Sequence, residues 1–143
     1  LDASTYTGSV AVLRDGVVLA ARDVAMRGAD EERLMPAVAA ALADAGVAPA
    51  ALAAVVCGGG PGSFTSLRIA GAIAKGLAVA AGCPLFAVPS LALAAAVRAG
   101  ARPAGARAGA WLVVADAMRG ERYAARVACD PTGAVVGYDY LGV

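Results

Sequence analysis

The residues best placed to do chemistry lie between Gly58 and Ile69, which read Gly-Gly-Gly-Pro-Gly-Ser-Phe-Thr-Ser-Leu-Arg-Ile. Glycines permit positive φ and close backbone approach, and a helix that starts just after them leaves N–H groups without intrahelical acceptors. Those groups and the helix dipole suit an anion or an acidic side chain, with Gly60, Gly62, Ser63 and Thr65 forming the loop. The same residues equally describe a tight structural turn with a Ser or Thr N-cap. Neither common phosphate fingerprint is present. A P-loop needs Gly-Lys-Ser/Thr, whereas Gly62 is followed by Ser63 and Phe64 and the first lysine is Lys75. A dinucleotide loop needs differently spaced glycines and an acidic residue about twenty positions on.

The acidic candidates are Asp2, with Ser4 and Thr5 beside it, and Asp116. Each aspartate ends an apolar run that leads toward a glycine turn, at Asp15-Gly16 and at Pro131-Thr132-Gly133. This echo suggests duplicated hairpins in a two-lobed fold, with the two aspartates facing a cleft. The alternative is that each carboxylate caps its own hairpin. The chain has no histidine, which removes His-based metal sites, His general bases and the usual nucleophile-activating dyads. Cys57, Cys83 and Cys129 are widely spaced in apolar sequence and read as reduced core residues.

Several elements must position these groups. Ser9–Leu13 and Val17–Val24 are β-branched, apolar runs joined by Arg14-Asp15-Gly16, a strong hairpin signal. Residues Asp30–Ala45 carry Leu34, Val38, Leu42 and Ala45 on one stripe and read as a helix ended by Gly46. Leu52–Cys57 reads as a buried strand feeding the glycine loop, followed by a helix over Thr65–Ala81, a strand over Leu85–Val88 and a helix over Ser90–Ala99. In the long helix Ala70, Ala74, Ala78 and Ala81 fall near one line, and side chains this small admit a close neighbour. That neighbour is the protein's own sheet or a partner's helix.

The chain of 143 residues suffices for one ordinary domain. Its hydrophobic fraction of 60% and mean hydropathy of +0.71 are high. The apolar stretch Ile69–Val97 is broken by Lys75, Gly76, Gly82, Pro84 and Pro89, so it reads as helix, strand, helix rather than as a membrane span. We expect a soluble, cytoplasmic protein with large apolar surfaces, some facing partners. A net charge of +1 gives no general electrostatic reason to bind nucleic acid. Arg98, Arg102 and Arg107 lie in a Gly/Pro/Ala segment and read as a solvated linker.

Several segments together resemble one family. Leu1-Asp2-Ala3-Ser4-Thr5, Gly8-Ser9-Val10-Ala11, Arg33-Leu34-Met35-Pro36, Gly60-Pro61-Gly62-Ser63-Phe64-Thr65, Val88-Pro89-Ser90-Leu91 and Asp116-Ala117-Met118-Arg119-Gly120-Glu121-Arg122-Tyr123 are similar, in order and spacing, to the bacterial tRNA threonylcarbamoyladenosine biosynthesis family TsaB, also called YeaZ. The resemblance implies an α/β, actin/Hsp70/sugar-kinase-like (ribonuclease H-like) lobe with a mixed five-stranded sheet over residues 1–105. The beginning of a second lobe follows over 106–143. It also implies a noncatalytic scaffold, not an enzyme, that binds and activates a TsaD-like catalytic subunit. A TsaE-like ATPase joins, tRNA is engaged only through the complex, a homodimer forms through a related surface, and no membrane is involved. The chain would need no cofactor of its own, since ATP and magnesium are used by the partner subunits.

Carried over by motif, the partner interface would be Arg33, Leu34 and Val38 on one helix and Arg68, Ile69, Ala74 and Lys75 on the next. A charge placed at Val38 or Ala74 is then expected to abolish docking without unfolding the chain. Asp2, Ser4, Thr5, Gly60, Gly62, Ser63 and Thr65 would be a vestigial nucleotide or phosphate loop with weak nucleotide binding. The alternative reading makes those same residues the working site of a small nucleotide-binding ATPase or kinase-like lobe. The sequence departs from the family at Ser66, where the family has glycine, near Asp30, where the family often has histidine, and in length. The family's chains continue beyond Val143, so this sequence reads as a fragment.

Overall fold

The structure is a computed structural model that describes residues 1–26, 32–103, 106–118 and 120–143. The chain divides into two compact units, one made of 1–59 with 63–87 and the other of 60–62 with 88–143.

The first unit opens with a hairpin, β1 (Thr7–Arg14) and β2 (Val17–Ala25), paired antiparallel from Thr7↔Ala25 to Arg14↔Val17. Asp15 and Gly16 turn it with φ of 52° and 77°, the two positive values that match the twist of paired strands. Strand alternation sends Gly8, Val10 and Val12 inward. At Gly8 a methyl group would meet the Met26 sulfur, so a larger residue there requires the Met26 side chain to move.

Helix α1 (Leu34–Asp44) covers this hairpin with Leu34, Ala37, Val38, Ala41 and Leu42. It begins later than Asp30. Asp30 and Glu31 lie outside the described residues, and the Glu32 carboxylate accepts the N–H groups of Leu34 and Met35 instead of joining the helix. Gly46, at φ 62°, ends it as expected, with the Val47 N–H donating back to Leu42 O.

A 3-10 turn at Pro49–Ala51 precedes the strand expected over Leu52–Cys57, whose first three residues are irregular, so β3 is only Val55–Gly58. Helix α2 (Phe64–Ala81) packs on β3 with Ser66, Ala70, Ala74 and Ala78 and stops at Gly82, left-handed at φ 65°. Strand β4 (Leu85–Val88) then pairs with β3. The expected five-stranded sheet is represented by two two-stranded ladders, β1–β2 and β3–β4. Between them lies the N-terminal segment. Asp2 and Ser9 exchange backbone hydrogen bonds, while Leu1 donates to Val56 O and accepts from the Gly58 N–H.

By length and composition alone α2, with 18 residues and a mean hydropathy of 1.3, could cross a membrane. Its Ala70–Ala74–Ala78 line is instead seated in the core of the first unit.

In the second unit α3 (Ser90–Gly100) packs on a three-stranded antiparallel meander, β5 (Gly109–Met118), β6 (Glu121–Cys129) and β7 (Val135–Gly142). The core joins Leu91, Ala95 and Ala99 to Ala125, Val127 and Cys129. Helix α3, expected in the first lobe, therefore packs with the strands that follow it. The echoed turn lies between β6 and β7, where Asp130 Oδ1 accepts from Thr132 N, Thr132 Oγ1 and Ala134 N. Cys57 and Cys129 are buried, Cys83 is half-buried, and all three are free thiols.

Candidate functional site

Two sets of residues were expected to act. The first is the loop. Asp2 holds Ser4 through two bonds to Oδ1, from the Ser4 N–H at 2.8 Å and the Ser4 hydroxyl at 2.6 Å. This turn aims the Ser4 carbonyl at the loop, where it accepts the Ser63 N–H at 2.9 Å. Ser63 precedes α2 but makes no side-chain cap. Its Oγ instead accepts the Ser66 hydroxyl at 3.0 Å. Thr5 turns away and donates to Thr7 O, and Thr65 is exposed on the first turn of α2.

The structure thus brings Asp2, Ser4 and Ser63 together and leaves Thr5 out. Gly60 belongs to the second unit, with φ 84°, its N–H donating to Ser90 Oγ at 3.0 Å and its carbonyl accepting the Ser90 N–H. The Gly60–Pro61 peptide is cis. Asp116 stands opposite Arg122 across the β5–β6 ladder. Among the described residues no group of three or more Asp, Glu or Cys side chains could hold a metal.

The second set is on α1 and α2, and here burial corrects the expectation. Leu34, Val38 and Ala74 are 0%, 3% and 0% exposed, because the stripe that makes each helix amphipathic faces the unit's own core. They are unavailable to a partner, and a charge at Val38 or Ala74 would act on folding first. Ile69 is half-buried against the same core. Arg33, Arg68 and Lys75 are exposed.

The opposite side of α2 carries Phe64 at 72% and Val79 at 74% exposure, with Arg68, Ala72, Lys75 and Gly76 between them. The Arg68 guanidinium lies 4.7 Å from the centroid of the Phe64 ring, a cation–π contact that holds the ring against its own helix. Met35, on α1, is also exposed. Phe64 and Val79 lie outside the interface residues expected from the sequence, whereas Met35 belongs to the helix named there. Once the alanine line is given to the core, the line Phe64, Arg68, Ala72, Lys75 and Val79 follows from helical spacing alone.

The core-facing alanine helix, the hairpin before it and the strands after it define an α/β protein related to the actin-like ATPase-type fold. The family model of TsaD, tRNA N6-adenosine threonylcarbamoyltransferase, matches residues 26–135. The chain is 40% identical over 91 residues to the tRNA threonylcarbamoyladenosine biosynthesis protein TsaB of Bacillus subtilis, covering 64% of this chain and 40% of that one. It is 42% identical over 132 residues to an uncharacterised protein of Mycobacterium tuberculosis (91% and 58%). With TsaB of Escherichia coli it shares 36% identity over 135 residues (93% and 55%).

Among solved structures, YeaZ from Pseudomonas aeruginosa superposes with a TM-score of 0.80 at 33% identity, over 99% of this chain and 65% of that one. A second, titled as an uncharacterised protein with similarity to peptidase YEAZ, gives 0.82 at 33% identity, over 99% and 64%. The chain belongs to the TsaD family, in its TsaB/YeaZ branch. It spans about half the length of the curated relatives it matches.

Proposed function

We propose that the chain serves threonylcarbamoyladenosine biosynthesis on tRNA as a noncatalytic scaffold, docking a TsaD-like catalytic subunit through the outer faces of α1 and α2. The observation that carries this reading is the ridge from Phe64 to Val79, apolar at both ends and solvent-facing on a helix whose other side is already committed to the core. The ridge joins exposed apolar ends to Arg68 and Lys75 on the same line, with Arg33 exposed at the start of α1, and exposed large apolar side chains beside charged ones suit an interaction surface. A stable complex would bury upwards of roughly 1,000 Å² in total. The absence of histidine from the sequence supports the noncatalytic role. A TsaE-like ATPase, a homodimer through the same ridge, tRNA contact only through the complex and cytoplasmic residence complete the proposal. So does the treatment of β1–β2 and β3–β4 as parts of one mixed five-stranded sheet.

The test is reconstituted threonylcarbamoyl transfer to tRNA by TsaD and TsaE, with and without this chain, alongside its Phe64→Ala and Val79→Lys variants. Activity that needs the chain and falls at least tenfold with both variants, while both stay folded, is expected. Undiminished activity without the chain, or with folded variants, overturns the proposal.

A second reading, a nucleotide-binding lobe, is favoured by the meeting of Asp2, Ser4 and Ser63. It is weakened by their mutual engagement, because the Asp2 carboxylate already holds Ser4 and the Ser63 N–H already donates to Ser4 O. Calorimetry with ATP and magnesium separates the two, since a working site binds at cellular concentrations and a vestigial one binds weakly or not at all.

A further inference from the structure

Three arginines expected in a solvated linker are instead drawn together at the carbonyl end of α3. Arg98 stands in the last turn of that helix, and the Arg102 N–H donates to Ala99 O just beyond it. The Arg107 Nε donates to Arg102 O at 3.1 Å. A side chain at Gly133 would begin 3.6 Å from both Arg107 Cδ and the Gly100 nitrogen, so Arg107 is seated between the end of α3 and the β6–β7 turn. The Arg102 guanidinium carbon lies 5.4 Å from the centroid of the Trp111 ring on β5, a cation–π contact that holds one side of it. Arg98 and Arg102 are both exposed.

The charge of this cluster is left unanswered by its own unit. Residues 88–115 contain the three arginines and no aspartate or glutamate. Of the acidic residues that follow, Asp116 and Asp139 stand opposite Arg122 and Arg126 in the sheet, and Glu121 opens β6 at the end away from Gly109 and Cys129. Asp130 is nearer, but its Oδ1 already accepts from Thr132 and Ala134. Among the described residues none of the three arginines shares a salt bridge with a carboxylate. Three full charges also outweigh the roughly half charge of the helix's carbonyl end.

We propose that Arg98, Arg102 and Arg107 form a contact surface for the phosphate backbone of a single-stranded RNA segment, with an unstacked base laid on the solvent side of the Arg102 guanidinium. Guanidinium forks meet phosphate oxygens two at a time, and a guanidinium plane is also a stacking partner for a splayed base. The Trp111 ring holds Arg102 from beneath for that second role, which an acidic peptide would leave unused. RNA is the polyanion within reach of a chain that serves tRNA modification, so the occupant rests on that reading while the arginine cluster does not. Three phosphate contacts hold RNA only weakly, so the surface works inside a complex that already engages the tRNA. It lies in the second unit and is separate from the α1–α2 ridge.

The probe is a fluorescein-labelled, mixed-sequence single-stranded RNA, titrated with the 143-residue chain and read by anisotropy. The emission of Trp111, the only tryptophan in the sequence, gives a second signal from the surface itself. At about 50 mM KCl half-saturation is expected near 10⁻⁴ M, weakening about twentyfold by about 200 mM, from roughly 0.7 counterions released at each of three phosphates. Replacing all three arginines by glutamine should weaken binding at least about tenfold and abolish most of the salt dependence. Arg98→Gln alone, at an exposed position outside both the Trp111 and the Arg107 contacts, should lower the salt slope by about 0.7 without shifting the melt. No TsaD is present, so the outcome is independent of whether the chain acts as a scaffold. Unchanged anisotropy up to millimolar chain, equal affinity in the folded triple variant, or an unchanged slope in Arg98→Gln overturns the proposal. So does a polyglutamate of matched charge that competes as tightly as RNA, which would mark an acidic-peptide surface instead.

Discussion

Replacing Ala74 by aspartate distinguishes a core line from a docking line on α2. Ala74 has no exposed surface and sits with Ala70 and Ala78 against the core of the first unit. A carboxylate placed there enters a cluster of apolar side chains. Burying an unpaired ion costs several kcal/mol even after relaxation. Taking about 4 kcal/mol, and roughly 2–4 °C per kcal/mol for a chain of about this length, the unfolding midpoint falls by about 8–16 °C at neutral pH.

The pH dependence has a definite sign. The new carboxyl titrates near 3.9 when unfolded and higher when buried, so the penalty is absent below about 3.9 and grows as pH rises through the folded value. Circular-dichroism melts of Ala74→Asp and Ala74→Asn at pH 4 and pH 7 read this directly. The aspartate variant should lose ground between the two pH values, while the asparagine variant keeps a constant deficit. Val79→Lys is the counterpart. Val79 is 74% exposed in the last turn of α2, where a cation is favourable by about 0.3–1 kcal/mol, so its melt should match the parent within a few degrees. An Ala74→Asp variant that melts like the parent, with no pH effect, would refute the assignment of the alanine line to the core.

Three further outcomes are expected. Ser90→Ala removes the acceptor of the Gly60 N–H, a buried bond of 3.0 Å, and should cost about 1–3 kcal/mol with faster exchange at the Gly60 amide. Gly82→Ala places a side chain at φ 65° with nothing within 4 Å to clash, so its cost of about 1 kcal/mol is conformational and should appear as a lower denaturant midpoint at unchanged slope. In the β6–β7 turn, bonds from the Thr132 hydroxyl and from backbone amides hold the Asp130 carboxyl below its ordinary value of 3.8. Its stabilisation is complete above that value and is lost as pH falls through the lowered one. Asp130→Ala should therefore weaken the chain at pH 7 and cease to differ from the parent in strong acid.

Local signals made much of the fold legible. Asp15-Gly16 announced its hairpin because few dipeptides tolerate two positive φ values, and Gly46 and Gly82 closed their helices for a related reason. Spacing also showed that Leu34, Val38 and Leu42 share a stripe, and that Ala70, Ala74 and Ala78 share another. It could not say what each stripe faces, because own sheet and partner helix demand the same small or apolar residues. That ambiguity is how core residues came to be expected at an interface, while Phe64 and Val79 were passed over. The allegiance of α3 was hidden for a different reason. It depends on Leu91, Ala95 and Ala99 meeting Ala125 and Val127, some thirty residues further on, and no local pattern encodes that meeting.

At the loop, one side chain shapes the head of α2. Ser66 stands where the resemblance places glycine, and it is buried, so its hydroxyl needs a partner. It donates to the Oγ of Ser63, the residue before α2, at 3.0 Å and so takes up one lone pair of that hydroxyl. On the other side Ser4 O takes the Ser63 N–H, the donor an incoming anion would need. Ser63 is thus engaged through both backbone and side chain, and Asp2 is held by Ser4. An anion reaching the Ser63 N–H would have to displace the Ser4 carbonyl, and the same bonds fix the start of the helix that carries Phe64 and Arg68. The polar network at the head of α2 therefore anchors the first turn of that helix to the N-terminal segment through Ser4 and Ser63.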